Sequence, residues 1–325
     1  MKKIAIIDLG TNGFRLYIAE VPDAGQFTII HRETNDLKIA SEGFDRIGDA
    51  PFARGLAAMQ QFSEHLKRFD VVKVEAFGTA ALRLASNGQT FIETVERETG
   101  IKIQLISGER EAELIYKGMR LGFSKPILST ITSERPLTIV SRKLGKKATF
   151  KGKSPVLMVD VGGGSVEFIV GDAQKVYWSR SFNVGVTILK QQFQPNPQIY
   201  PTEIRAIHHF LSTTCVDLCT SIALFKPQTL IIACGTLDFL VKILRGVSNE
   251  NFELTKQEFD TFYQQLTFLS EAELLTTPDI PKEKIEMLAV SFVLMDWIRT
   301  LLEADSIIAS AFSMKAGILH EMSLH

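Results

Sequence analysis

The stretch VLMVDVGGGSVEFIVGD, residues 156–172, sets two apolar runs on either side of an aspartate, three consecutive glycines and a serine. Apolar runs of strand length flanking glycines read as two buried strands joined by a tight turn. Near the start of the chain IAIIDLGTNGFRLYIAEV, residues 4–21, repeats the arrangement. Asp8 matches Asp160, Gly10 matches Gly162, and Arg15 stands where Glu167 stands. Both copies are therefore expected to be hairpins, with glycine supplying a positive φ that other residues adopt only at a cost.

Two copies of one device about half a chain apart, in 325 residues, indicate two related domains rather than one core. Strand and helix patterns alternate along both halves, which makes the chain α/β. In the first half, residues 52–69 read as a helix; VVKVEAFGTAALRLASNG gives a strand, a Gly-Thr turn and a helix opening, and GIKIQLISGEREAELIYKGMRLGF repeats strand, loop and helix. In the second half, KVYWSRSFNVG is strand-like, helices lie near 202–225, and QTLIIACG is a strand. An amphipathic helix is expected over 281–304, and SIIASAFSMKAGIL ends the chain with a short strand, a turn and a helix.

With 36 basic against 37 acidic residues, the net charge gives no support to a dedicated nucleic-acid binder. Strand-like sequence begins at Ile4, leaving no room for a secretory leader, so the expected location is cytoplasmic. The apolar segment MLAVSFVLM, 287–295, is too short to span a bilayer and reads as a core helix; no membrane partner is expected. Cys215 and Cys219 sit four apart in an apolar helical run and read as small core side chains. The histidines offer no zinc motif, because His208 and His209 point in different directions on a helix and no HExxH spacing exists. Between the two halves, residues 124–154 are rich in Ser, Thr, Pro and Lys, and Arg142, Lys143, Lys146, Lys147, Lys151 and Lys153 make the end of this linker basic. It is either a solvated loop or a landing strip for a polyanion.

Four constellations carry chemistry. The turns Gly10, Thr11, Asn12, Gly13 and Gly162, Gly163, Gly164, Ser165 expose backbone N–H groups that can cradle phosphate. Asp160, and Asp8 in the first copy, each end an apolar strand and can hold a hydrated divalent cation; Glu167, beside the triple glycine, is a candidate for metal or water binding. In ISGEREAELIYKGM, Ser107 is the expected N-cap. Arg110, Glu113, Lys117 and Arg120 then share a polar face, and Glu111 falls with Leu114, Ile115, Gly118 and Met119 on the inward one. An inward carboxylate near a cleft can act as general base, whereas Glu109 complements the helix N-terminus from a more exposed position. Arg83, five residues after a Gly-Thr turn, can clamp phosphate oxygens.

The ordered set DLGTNGFRL, GTAALRLASNG, SGEREAELIYKG, DVGGGSVEF and CGTLDFL resembles the exopolyphosphatase/guanosine pentaphosphate phosphohydrolase (Ppx/GppA) family over nearly the whole chain. The resemblance implies an actin-like (ASKHA) superfold of two ribonuclease H-like domains with the site in an interdomain cleft. It places domain I at 1–123, rejoined by 306–325, the linker at 124–154 and domain II at 155–305. It implies a Mg²⁺-dependent hydrolase that removes the terminal phosphate of inorganic polyphosphate or the 5′-phosphate of guanosine pentaphosphate. By motif position Glu111 is the base, Asp160 and Glu167 belong to the metal and water site, and Arg83 and the two turns bind phosphate. The family pattern is broken at Arg110, where a second glutamate is usual, at Gly13 (serine), at Val166 (threonine) and at Lys315-Ala316 (Arg-Glu). The sequence stops before the helical HD-like extension of longer members, from which a preference for short chains follows. A homodimer is kept as an oligomeric option. Two other functions compete: a non-catalytic guanosine alarmone sensor, and a small-molecule kinase of the same superfold, for which IIACGTLDFL would have to supply an adenosine pocket.

Overall fold

The computed structural model describes residues 1–124, 154–194, 198–245, 251–277 and 280–324. The basic linker lies outside them except at its two ends. The chain divides into two compact units: Met1–Leu121 joined by Met314–His325, and a second unit that runs to Ser313.

The first unit runs β1 (Lys2–Leu9), β2 (Gly13–Val21), β3 (Thr28–Asp36), α1 (Asp49–Arg68), β4 (Lys73–Gly78), α2 (Ala80–Leu84), α3 (Gly88–Thr99), β5 (Ile103–Leu105) and α4 (Gly108–Ser124). The sheet order is β3-β2-β1-β4-β5, antiparallel on the β3 side and parallel from β1 to β5. Isoleucines of β1 bury on both faces, as a central strand requires. One face packs Ile7, Phe14, Leu16 and Ile18 against Met59 and Phe62 of α1 and Phe91 of α3. Sequence patterning did not pick out β3, because it is an edge strand with no fully buried residue and so lacks the apolar run of a core strand.

In the second unit the elements are β6 (Val156–Val161), β7 (Val166–Gly171), β8 (Val176–Phe182), α5 (Val186–Phe193), α6 (Pro201–Thr214), α7 (Val216–Phe225), β9 (Thr229–Cys234), α8 (Gly235–Arg245), β10 (Phe252–Thr255), α9 (Lys256–Leu266), α10 (Glu271–Thr276), α11 (Lys282–Leu301) and β11 (Ser306–Ala309). Its sheet, β10-β11-β9-β6-β7-β8, repeats the first order, with β8-β7-β6-β9-β11 standing for β3-β2-β1-β4-β5 and β10 added at the edge. This duplicated topology is the expected actin-like architecture. Every residue from Leu288 to Met295 is buried, as the core-helix reading of 287–295 has it, whereas Lys282, Glu283 and Glu286 leave the first turns of α11 amphipathic. A stretch apolar on every side belongs inside. No helix among the described residues is long and apolar enough to cross a membrane.

The chain returns to the first unit only at α12 (Met314–Ser323), not at residue 306 as expected. The reason is that β11 pairs parallel with β9 and antiparallel with β10, which commits it to the second sheet. α12 packs closely on α4: a Cβ on Gly317 would lie 2.1 Å from the Leu114 carbonyl oxygen.

Candidate active site

In the second unit Asp160 of β6 lies directly opposite Glu167 of β7, and Glu167 opposite Ser181 of β8, so the three side chains share one row on one face. Glu167 is 2% exposed, and Ser181 Oγ donates to its Oε1 at 2.7 Å. A buried carboxylate thus replaces the solvent-exposed strand glutamate that a half-buried sheet would tolerate. Asp160 is half-buried.

The turn between these strands is closed by the Gly162 N–H donating to the Ser165 carbonyl at 3.0 Å. Its remaining carbonyls are tied to the start of α5: Gly185 N–H donates to Gly164, Val186 to Gly162 and Thr187 to Gly163, at 3.2, 3.0 and 2.9 Å. The start of α5 therefore fixes the turn through its carbonyls, so they do not compete for a ligand at its N–H groups. Gly162 and Gly185 are needed for close approach. A Cβ on Gly185 would stand 2.3 Å from the Gly163 oxygen, and one on Gly162 2.8 Å from the Ser165 oxygen.

The same device recurs in the first unit, with the Gly10 N–H donating to the Gly13 carbonyl at 3.2 Å. The carbonyls of Thr11 and Asn12 accept from Leu37, Lys38 and Ile39. A Cβ on Gly13 would meet the Asn35 oxygen at 2.5 Å, which explains why serine does not stand there. The expected positive φ in these turns is overturned: the positive-φ glycines among the described residues are Gly25, Gly43 and Gly100. At Gly13 and Gly162 it is backbone packing, not φ, that selects glycine. Opposite Asp8 stands Arg15, whose Nη1 forms a 3.0 Å ion pair with Asp8 Oδ2. The first copy thus carries its own cation where the second has a carboxylate pair.

The carboxyl ends of β1, β4 and β5 gather the other groups of this unit, the edge of a parallel sheet where ligands bind. The Thr79 N–H donates to the Leu9 carbonyl and the Ile106 N–H to the Gly78 carbonyl, which sets α2 and the start of α4 beside the turn at Gly10. Ser107 caps α4, its Oγ accepting from the Arg110 N–H at 3.2 Å. Glu109 stays exposed, and its own backbone N–H and the Ser107 hydroxyl hold its carboxyl below the usual range. Glu111 turns inward, at 7% exposure. Arg83 Nη1 donates to the Ile106 carbonyl at 2.8 Å and lies 3.4 Å from Glu111 Oε2. The fold thus brings together two groups that lie in separate sequence motifs.

Arg110 points away from this edge. It pairs with Glu321 of α12 at 2.6 Å and with Glu113 at 2.7 Å, and Lys117 joins both carboxylates. Hydrogen bonds from Lys117 and Arg110 hold the Glu113 carboxyl low; for Glu321, burial pushes upward but the same two donors outweigh it. Lys315 lies 5.6 Å from the centre of the Tyr17 ring, and Val166 is fully buried. These departures from the family pattern are thus built into packing. Burial raises the Cys215 thiol to about 12 and raises Cys234 as well, so neither is a ready nucleophile. Sequence reasoning missed Ser181 and Gly185; the alternation in VYWSRSF facing Glu167 is the signal that finds the serine.

Known proteins give the following likenesses. The Ppx/GppA phosphatase family matches residues 17–129 and 142–325. The crystal structure of an exopolyphosphatase from Cytophaga hutchinsonii superposes with a TM-score of 0.86 at 26% identity, covering 99% of this chain and 98% of that one. An Aquifex aeolicus member of the family superposes at 0.74 and 21% identity, with 99% and 98% covered, and shows the fold. The guanosine-5′-triphosphate,3′-diphosphate pyrophosphatase of Aeromonas salmonicida is 24% identical over 324 residues, covering 97% of this chain but only 58% of its own length.

Proposed function

Because the chain belongs to the Ppx/GppA phosphatase family, we propose that it hydrolyses phosphoric anhydrides, releasing the terminal phosphate of inorganic polyphosphate or of guanosine pentaphosphate. The observation that carries the reading is the row Asp160–Glu167–Ser181 beside a glycine turn whose carbonyls are already used. Backbone N–H groups of a glycine turn can bind phosphate oxygens, and the matching turn Gly10–Gly13 offers a second set.

Asp160 and Glu167 face each other across the strand pair, where one divalent cation can join two carboxylates. The donor set is all oxygen, from two carboxylates, and fits Mg²⁺, a hard ion that keeps several waters. Asp160 and Glu167 would hold it, with Ser181 orienting the Glu167 carboxylate; Asp8 is compensated by Arg15 and does not share this role. Bound there, Mg²⁺ would offset the charge of the phosphate chain. Glu111 accepts the proton of the attacking water, and Arg83 holds the Glu111 carboxylate in place. Both Arg83 contacts run through Nη1, and the other N–H groups of its guanidinium are suited to phosphate oxygens.

The test is phosphate release by the purified protein from medium-chain polyphosphate and from guanosine pentaphosphate, with Mg²⁺ and with excess chelator. Release that stops on chelation supports the reading. Full turnover in chelator would show that Asp160 and Glu167 hold no metal needed for hydrolysis.

A further inference from the structure

The sequence shows no local zinc motif, yet the fold assembles a metal-ligand cluster from residues far apart in the chain. His31 and Glu33 lie two apart on β3, and His65 lies in the last turn of α1. His31 Nε2, Glu33 Oε2 and His65 Nδ1 all fall within 4.8 Å of one another. Each of these three atoms is shut off from water and has no hydrogen-bond partner. Although His65 Nδ1 approaches Glu33 Oε2 to 2.6 Å and His31 Nε2 lies 3.6 Å from that oxygen, neither approach has hydrogen-bond geometry. Three buried, convergent and unsatisfied ligand atoms are costly unless something joins them.

The surroundings are those of a built site. The other carboxylate oxygen, Glu33 Oε1, accepts from Gln61 Nε2 at 2.8 Å and from Asn35 Nδ2 at 3.3 Å, which aims Oε2 at the histidines. Such outer hydrogen bonds are what orient metal-ligating groups. The His31 ring is held by Phe69, with ring centres 4.9 Å apart. Glu33 and His31 stand opposite Leu16 and Ile18, the core-facing residues of β2, whereas Arg15 stands opposite Thr34. The cluster is therefore on the other face of the sheet from the Asp8–Arg15 pair and is separate from the proposed hydrolytic groups.

We propose that His31, Glu33 and His65 form a Zn²⁺ site that clips the edge strand β3 to the end of α1. Two imidazole nitrogens and one carboxylate oxygen suit borderline Zn²⁺ rather than Mg²⁺, with water completing a tetrahedron. Tetrahedral bonds of this kind separate ligand atoms by about 3.3 Å, so Glu33 and His65 open slightly on binding.

The experiment uses the full chain stripped with chelator, then titrated with Co²⁺ and followed by visible absorption, with melting measured in Zn²⁺ and in Mg²⁺. The site predicts one intense tetrahedral Co²⁺ band saturating at one equivalent and displaced by Zn²⁺. It also predicts a melting rise of roughly 5 °C at a hundredfold excess of Zn²⁺ over its Kd, and none from Mg²⁺ through this cluster. His31→Gln and His65→Gln, each checked for folding by circular dichroism, should abolish the band. A wild-type protein with no Co²⁺ band and no Zn²⁺-dependent melting rise would overturn the site and return the cluster to a Glu33–His65 ion pair. A band that survives in both variants would overturn it equally, by placing the metal elsewhere. The wild-type readings stand even where a variant fails to fold.

Discussion

Replacing Gly185 by alanine isolates the support of the glycine turn from the turn itself. Gly185 has φ −64° and ψ 162°, which alanine adopts freely, so any effect is steric. The added Cβ would lie 2.3 Å from the Gly163 oxygen, 2.4 Å from its carbon and 2.6 Å from the Gly164 carbon, where ordinary contact begins at 3.4 Å. The obstructing atoms are backbone, so the turn must retreat from α5 by about 1 Å. Three hydrogen bonds cross that gap, and stretching them at about 1 kcal/mol each costs up to about 3 kcal/mol. Overpacking a filled site costs about 1–3 kcal/mol, so the two routes agree. A displacement of that size at a substrate-positioning element lowers kcat/KM by on the order of 10². The assay is urea unfolding alongside phosphate release. Gly235→Ala is the control for stability, since its Cβ would meet only the movable Lys284 Nζ, at 3.1 Å. If Gly185→Ala matches Gly235→Ala in unfolding midpoint and keeps full activity, α5 does not hold the turn.

Ser181→Ala removes the hydroxyl that holds Glu167 Oε1, and Mg²⁺ affinity should fall by roughly 10- to 100-fold, read as a right-shifted Mg²⁺ dependence of phosphate release; an unshifted curve would separate Ser181 from the metal. The low carboxyl pKa values of Glu113 and Glu321 make a pH prediction. Their stabilising contribution is complete above the ordinary glutamate range of about 4.3 and is lost as pH falls through the depressed folded values. Glu321→Gln should therefore flatten the acid limb of the stability profile below about pH 4.3 while leaving the shape between pH 6 and 8 unchanged, and an acid limb identical to wild type would count against the pairing of α12 with α4.

The duplicated turn was legible because it combines two strong local signals, an apolar strand ending in aspartate and a glycine cluster, and the structure places Asp160 against Glu167 and Asp8 against Arg15 as the alignment of the copies requires. The inward face of Glu111 was legible from helical spacing alone, since Glu111, Leu114, Ile115, Gly118 and Met119 are all buried. What spacing could not supply is tertiary. The reason for the turn glycines lies in Asn35 and in the turn's own carbonyls, not in the φ of the turn. The contact of Arg83 with Glu111 needs α2 and α4 brought to one sheet edge. His31, Glu33 and His65 escaped a search for adjacent motif residues because a strand contributes the first two and a helix 32 residues after Glu33 in the numbering contributes the third. The signal that was present is the period-two pattern in TIIHRETND, which marks β3 and puts His31 and Glu33 on one face.

Whether Glu111 is the base is read from kcat for phosphate release by Glu111→Gln against Glu109→Gln under saturating substrate and Mg²⁺. The glutamine at 111 keeps size and hydrogen bonding but loses basicity, so kcat should fall by on the order of 10² to 10⁴ with little change in KM. The exposed Glu109, which serves the helix terminus, should yield a variant with near wild-type kcat. A Glu111→Gln protein that melts like wild type and retains its kcat, or a pair of variants that lose activity equally, would contradict the account.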